Sequence, residues 1–482
     1  MSIVLHNTLT RRSEPFVPLR AGELGMYVCG PTVYDDCHIG HLMGPAIFDA
    51  VARWFAARGH RVRFVNNITD IDDKIITRSR ETGESWQAIT ERIIAQYNGW
   101  LAKLHVATIT DQPRCTQYVA HMVRYVQDLV ATGRAYVAAD GVYYDITKQA
   151  DYGKLSGRRL DEMEAGSRVQ RDEHLHHPAD FALWKLAKPG EPSWPSPWGD
   201  GRPGWHIECS VMSSELLGRE FDIHGGGDDL KFPHHENEIA QAEAHGDAYA
   251  HCWMHNGLIQ FEGVKVGKSD PRMKDPAFKK QFMADHLIGT YGAATIRFLL
   301  LSGHYRRPID FAPHAVGAAR TALTRLIRQL GPRAELAATV IDAAGLAALM
   351  AIPVPAAADK ARNAFCTALD DDINTGGAIA QLFTLVSEAN KATPSEREAM
   401  LDVCCGLGRV LGMFQPGDLS ALGVGQSAGV ADERLSKVMS LVLELRQKAR
   451  ANRDFATSDV IRDQLKAAGI TVKDGKDGAS WD

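Results

Sequence analysis

The chain has 482 residues, of which 45% are hydrophobic and 23% charged; it is too long for one ordinary core and too apolar to remain disordered, so two to four domains are expected. No apolar run approaches the ~18 residues of a membrane span, and the opening MSIVLHNTLTRRSEPFVPL lacks an apolar core of signal-peptide length. A cytoplasmic protein without membrane contact is therefore expected. The formal net charge of −5 does not favour a nucleic-acid partner, but phosphate binding needs only a local basic face.

In chain order, Met26–Cys29 reads as a short strand, and Ile39–Arg58 as a helix with Leu42, Ile47, Val51, Trp54 and Phe55 at helical spacing. Val62–Val65 is a second strand. This β-α-β pattern predicts a parallel sheet with ligands at the carboxyl ends of its strands. The stretch from about Cys115 to Gly204 ends in a long Pro/Gly-rich segment, LAKPGEPSWPSPWGDGRPG, without helical or strand period, and reads as an insertion. The α/β pattern resumes with the strand FDIHGGG and the helix HHENEIAQAEAHG. Val316–Gly412 is helical and alanine-rich, which suggests a bundle. Gln415–Val430 reads as a Gly/Ser-rich linker, and a small basic unit closes the chain.

Eight cysteines, at 29, 37, 115, 209, 252, 366, 404 and 405, are scattered along this length. They read as thiols of a reduced protein, one or two of which bind metal while the rest pack as small hydrophobes. Cys29 ends the first strand, Cys209 follows the Pro/Gly-rich segment, and His234 and Glu238 project from one face of a helix. Two thiolates, an imidazole and a carboxylate can fill a tetrahedral zinc shell. Spacing leaves His235 and Glu236 as rival ligands, and packing of two buried cysteines is the alternative.

Three strings suit phosphate chemistry. His38-Ile39-Gly40-His41 opens the first long helix, where free N–H groups favour anions and Gly40 admits a flat base. Gly225-Gly226-Gly227, followed by Asp228 and Asp229, suits close backbone approach to a nucleotide, with an acid for the ribose. Lys265-Val266-Gly267-Lys268-Ser269 offers two lysines able to neutralise a phosphate in flight. Taken singly, each has an ordinary explanation: a capped helix, a tight turn, a solvated lysine pair.

Together and in order they are specific. CGPTVYDDCHIGH (Cys29–His41), NNITDIDDKI (Asn66–Ile75), FALWK (Phe181–Lys185), GEPSWPSPWGDGRPGWHIECS (Gly190–Ser210), FDIHGGGDDLKFPHHENEIAQ (Phe221–Gln241), ALDDDINT (Ala368–Thr375) and the closing KDGKDGASW resemble the cysteinyl-tRNA synthetases nearly end to end. The resemblance implies a class I synthetase: an α/β fold with a Rossmann-like catalytic domain split by a connective insertion, then a helical bundle and a small anticodon-binding domain. The expected boundaries are 1–114 and 205–250 for the catalytic halves, 115–204 for the insertion and 251–315 for the lysine loop and connecting domain. The bundle is expected over 316–414, the linker over 415–430 and the anticodon-binding domain over 431–482.

By the same resemblance, Cys29, Cys209, His234 and Glu238 are the ligands of one zinc ion per chain, and His38–His41 matches the HIGH signature. Lys265–Ser269 takes the place of the KMSKS loop, with the family's methionine and first serine replaced by Val266 and Gly267. The following Leu-Gly-Asn is replaced by Asp270-Pro271-Arg272, which stiffens the loop's exit. The implied reaction joins L-cysteine to tRNA(Cys) through an adenylate formed from ATP with Mg²⁺. His38, His41, Lys265 and Lys268 are expected at the phosphates, Gly40, Gly225–Gly227 and Asp229 at the nucleotide, and Cys29, Thr69 and Trp205 at the amino acid. Arg446, Lys448, Arg450, Arg453, Arg462 and Trp481 are expected to meet tRNA. A monomer is expected. The rival readings are a cysteine ligase of mycothiol synthesis and a tRNA-binding regulatory paralogue without activation.

Overall fold

Five parallel strands make the central sheet of the computed structural model: β1 (Glu23–Val28), β2 (Arg61–Asn66), β3 (Ile109–Asp111), β4 (Glu220–Gly227) and β5 (Tyr249–Asn256). Their spatial order is β3-β2-β1-β4-β5, the doubly wound arrangement that reverses direction between β1 and β4 and opens a crevice at their carboxyl ends. Residues 2–159, 175–267, 270–335, 340–423, 427–452, 454–467, 472–475 and 478–481 are described.

Helix α1 (Ile39–Ala57) crosses from β1 to β2 and is buried on almost every side. Its apolar residues extend beyond one stripe because α1 lies between the sheet and the helices Ala293–Ser302 and Pro394–Val410. Between β3 and α2 (Trp205–Leu217) stand a helix, Val119–Ala131, and a four-stranded antiparallel sheet that runs in sequence order from Ala135 to Pro203. The Pro/Gly-rich segment thus contributes an edge strand, Gly201–Pro203, whose glycine and proline suit an edge. Gly204 then lets the chain pass close to the Ala182 carbonyl, 1.9 Å from where a Cβ would stand. Helix α2 feeds β4, and α3 (Glu236–His245) links β4 to β5.

The three glycines close β4 itself, as the strand-like FDIHGGG predicts, and do not form the alternative tight turn. A Cβ on Gly225 would stand 2.3 Å from the Phe48 ring of α1, so this glycine lets the helix seat on the sheet. Gly226 likewise makes room for His235, and Gly227 for Asp229.

Two buried polar knots tie α1 to the helices that follow. Asp49 and Arg53 of α1 meet Arg297, whose guanidinium also reaches the Leu104 and Leu411 carbonyls. Asp370 accepts from Trp54 Nε1 at 3.2 Å and Arg58 Nε at 3.0 Å. Two residues on, Asp372 takes His6 N, Tyr305 Oη and Arg306 Nε from the other side. Asp372 and Ile373 hold the left-handed φ values of 51° and 50°, strain that the surrounding hydrogen bonds sustain.

The chain divides into two compact units, Met1–Asp418 and Leu419–Asp482. The second holds the helices Ser427–Ala451 and Phe455–Ala467 and the hairpin Val472–Gly475/Gly478–Trp481. The first of these helices begins at Ser427, inside the Gly/Ser-rich stretch, and Arg446 is buried within the unit instead of facing solvent. Lys448, Arg450 and Arg462 are exposed. Arg453 and the Trp481 side chain lie outside the described residues. No helix among the described residues is long and apolar enough to cross a membrane.

Candidate metal centre and nucleotide cleft

Cys29 leaves the carboxyl end of β1 beside Gly225 of β4, whose carbonyl accepts its N–H at 3.2 Å. This is the switch point of the sheet. Cys209 reaches it from the second turn of α2, and His234 and Glu238 from the turn into α3 and its first turn. The four donor atoms lie within 4.8 Å of one another.

Their separations suit one ion. Cys29 Sγ is 3.7 Å from Cys209 Sγ and 3.7 Å from Glu238 Oε1. Cys209 Sγ is 3.5 Å from His234 Nε2, which is 3.0 Å from Glu238 Oε1. Zinc bonds of ~2.3 Å to sulfur and ~2.0 Å to nitrogen at tetrahedral angles put two sulfurs ~3.8 Å apart and a sulfur ~3.5 Å from a nitrogen. The residues present fit that metal.

A buried layer fixes the donors. His234 turns its Nδ1 to His206 Nδ1 at 2.9 Å, which leaves Nε2 toward the cluster. Glu238 presents Oε1 to the cluster because its Oε2 is held by His224 Nε2 and Tyr249 Oη, each at 2.7 Å. Of the rival ligands, Glu236 points away and accepts from the Leu155 and Ser156 amides. His235 stays near: its Nε2 is 3.3 Å from Cys29 Sγ, and Cys29, His224, His235 and Glu238 form a second group of the same compactness. Its Nδ1 meets His255 Nε2 at 2.8 Å just as that of His234 meets His206, so the two rings are held alike; the second group differs in that His224 Nε2 is already bonded to Glu238 Oε2. His206, His224, His255 and Tyr249 were not legible as site residues, since none stands in a ligand-type spacing.

The charges follow from burial and proximity. Burial and the neighbouring Cys209 hold the Cys29 thiol well above its usual range. Burial opposes ionisation of Cys209 too, but the hydrogen bond from Cys29 and the His234 imidazolium pull its pKa down to about 6. Desolvation works against charge on His234, yet Glu238 and Cys209 raise its pKa above the usual imidazole value.

Trp205, 38% exposed, stacks on His234 with ring centroids 4.3 Å apart, and so walls the cluster on its solvent side. Thr69, buried after β2, donates its hydroxyl to Glu208 Oε2 at 2.6 Å, one residue before Cys209. Trp205 thus borders the cluster directly, and Thr69 reaches toward it through Glu208.

The histidines of the nucleotide strings serve the helix start. His38 Nδ1 accepts from Gly40 N at 3.1 Å, and His41 Nδ1 accepts from His38 N at 3.4 Å, a reciprocal capping box with the two rings stacked at 3.7 Å. A Cβ on Gly40 would stand 3.3 Å from Ile259 Cδ1. Ile259 begins a hairpin strand paired with Val264–Lys265, so Lys265 is carried on an element lying against the start of α1. Lys268 lies outside the described residues. Past the loop, Asp270 caps the short turn Pro271–Lys274, and Arg272 pairs with Asp270 at 2.8 Å and lies over the Phe278 ring. Asp229 is exposed at the end of β4. Asn256 Oδ1, at the end of β5, is a buried acceptor with no partner among the described residues.

Comparison with known proteins agrees with this architecture. Residues 15–321 match the catalytic-domain model of class I (C) tRNA synthetases, 364–415 a DALR domain, and 433–481 the cysteinyl-tRNA ligase anticodon binding domain. The cysteine--tRNA ligase of Laribacter hongkongensis is 44% identical over 481 residues, 99% of each chain. That of Chromohalobacter salexigens is 45% identical over 484 residues, 99% of this chain and 98% of its own. The chain belongs to the cysteine--tRNA ligase family. As a class I ligase of that family it is an enzyme whose substrates are cysteine, ATP and tRNA. The fold is shared with a Mycobacterium tuberculosis methionyl-tRNA synthetase in complex with methionyl-adenylate, at a TM-score of 0.56 and 13% identity over 80% of this chain and 89% of that one.

Proposed function

We propose that this ligase selects cysteine through a zinc ion held by Cys29, Cys209, His234 and Glu238. The observation that carries the reading is the set of donor separations, spaced as the edges of a tetrahedron and fixed by His206, His224 and Tyr249. When bound, zinc supplies a soft Lewis acid with far higher affinity for a thiolate than for a hydroxyl. A purely apolar pocket would reject serine or alanine by only ~10–200-fold.

The chain's own groups do the rest. Trp205 closes the solvent side, and Thr69 holds Glu208 so that the loop after β2 borders the amino acid. The substrate carboxylate attacks the α-phosphate of ATP, bound with Mg²⁺, and pyrophosphate leaves; the terminal adenosine of tRNA(Cys) then takes the cysteinyl group. No protein nucleophile is required, so positioning and charge stabilisation carry the catalysis. His38, His41, Lys265 and Lys268 are assigned to the phosphates, and Gly40 and Asp229 to the nucleoside. Gly225–Gly227 support that site through packing: they seat α1 and His235 at the sheet's edge. The domain models over 364–415 and 433–481 favour a tRNA substrate over the amino-sugar of a mycothiol-type ligase.

Metal content together with ATP–pyrophosphate exchange tests the reading. Purified protein should carry about one zinc per chain and exchange with cysteine but not serine, and Cys209→Ser should abolish cysteine-dependent exchange. Full exchange by metal-free protein would remove zinc from the mechanism, and no exchange at all would favour the regulatory paralogue.

A further inference from the structure

A cavity of about 560 Å³ opens at the carboxyl end of β5, where Arg11, Lys231 and Arg306 converge with the imidazoles of His6 and His255. It is distinct from the metal-type cluster but adjoins it. His255 Nε2 meets His235 Nδ1 at 2.8 Å, and His235 Nε2 is 3.3 Å from Cys29 Sγ.

Two of the three cations already have carboxylate partners. Lys231 pairs with Asp228, and Arg306 pairs with Asp372 at 2.8 Å. Arg11 differs, having no carboxylate partner among the described residues. Its position is nevertheless built. Arg11 takes a left-handed φ of 58°, and its guanidinium packs against Gly157, whose φ is 75°. A Cβ on Gly157 would stand 2.5 Å from Arg11 Nη2, so the bare glycine makes the space the guanidinium occupies. The left-handed residue closes the loop of the hairpin Val4–Asn7/Arg12–Pro15, with Arg11 N–H on the Asn7 carbonyl, and so fixes where the side chain leaves the backbone. With one carboxylate, Asp228, among the lining groups, the cavity keeps a cationic excess in a chain whose formal net charge is −5. Planar, weakly hydrated guanidinium with unused donors is the group suited to a phosphate diester.

We infer that this cavity receives a backbone phosphate of the single-stranded 3′ end of tRNA, with Arg11 as its principal ligand. The inference rests on the ligase reading above, which requires that end to approach the carboxyl edge of the sheet. Phosphates of ATP share the chemistry and are the competing source.

The test compares the full-length protein with Arg11→Ala and Gly157→Ala, which keeps the arginine but displaces it. Binding of tRNA(Cys) is titrated against salt, with intact tRNA and with tRNA lacking its single-stranded 3′ nucleotides. Both variants should bind intact tRNA ~10-fold more weakly. Arg11→Ala should lower the slope of log affinity against log salt by ~0.7, the value for one single-strand phosphate contact. On the truncated tRNA both variants should equal the parent. ATP–pyrophosphate exchange should be unchanged in either. An unchanged salt slope, or equal weakening on truncated tRNA, overturns the inference; a raised KM for ATP in exchange assigns the cavity to the nucleotide and overturns it too. The binding arm needs no turnover, so absence of exchange in the parent protein would count against the ligase reading alone.

Discussion

Without metal, Cys209 is favoured as the thiolate, Glu238 as the carboxylate and His234 toward its charged form, while burial keeps the proton on Cys29. Zinc must therefore displace the proton of Cys29 and any carried by His234. Calorimetric titration near pH 7.5 in buffers of different ionisation enthalpy should show release of about one to two protons per zinc. The pKa of Cys209 is lowered to about 6, so the thiolate is present above that value and lost as pH falls through it. Zinc affinity should fall more steeply below about pH 6 than above it. His206 is a second test at this scale. Its Nδ1 is the partner of His234 Nδ1, so His206→Ala should weaken zinc by ~10–100-fold in chelator competition while the protein stays folded. The four cluster residues were legible through resemblance, because each sits in a recognisable string. Spacing alone did not separate His234 from His235, since adjacent helix-start residues differ in direction and not in chemistry. In the structure both hold their second nitrogen on another histidine, His206 or His255, and the second group differs in that its His224 is bonded to Glu238.

Among elements, α1 has two duties: its first turn bears His38–His41, and its middle carries Asp49. Paired arginines outweigh the burial that opposes ionisation and hold the Asp49 carboxyl down at about 2. Its stabilising contribution is thus present above the ordinary carboxylate range and is lost only as pH falls through about 2. Asp49→Asn should destabilise the protein by ~3–5 kcal/mol in denaturant titration, because Arg297 would stay buried without its counter-charge. The helical period of Ile39–Arg58 gave the element and its end to within a residue, yet the sequence offered no sign that Asp49 and Arg53 would be buried, since a charged pair four apart ordinarily faces water. Similarly, three consecutive glycines left a tight turn as the alternative to a strand end. They lie within β4 because Phe48 and His235 occupy the volume of the missing side chains, a demand visible only once helix and sheet are packed.

For the whole molecule, the β-α-β signature and the two α/β stretches sufficed for a parallel sheet, but β3 and β5 were not read as strands, and crossover handedness alone does not fix the order β3-β2-β1-β4-β5. The net charge of −5 said little of nucleic-acid binding, as a sum over 482 residues hides a local cationic cavity. The division at Asp418/Leu419 separates the sheet and bundle from the anticodon-binding unit. A chain ending at Asp418 should therefore keep cysteine-dependent exchange within about threefold of the parent and lose most of its charging of tRNA at low tRNA concentration. Equal loss of both activities would show that the last unit is needed for activation itself.

The donor set is also a long-range statement about assembly. Cys29 and Glu238 are 209 positions apart, and Cys29 and Cys209 are 180 apart. During synthesis the first donor waits for more than two hundred later residues, and a whole intervening subdomain, before its shell can close. At ~5–20 residues per second that interval is tens of seconds in which a lone thiol is available to oxidants or stray metal. Metal capture by the proposed centre would then be a late event, possible only once all four donors have been made.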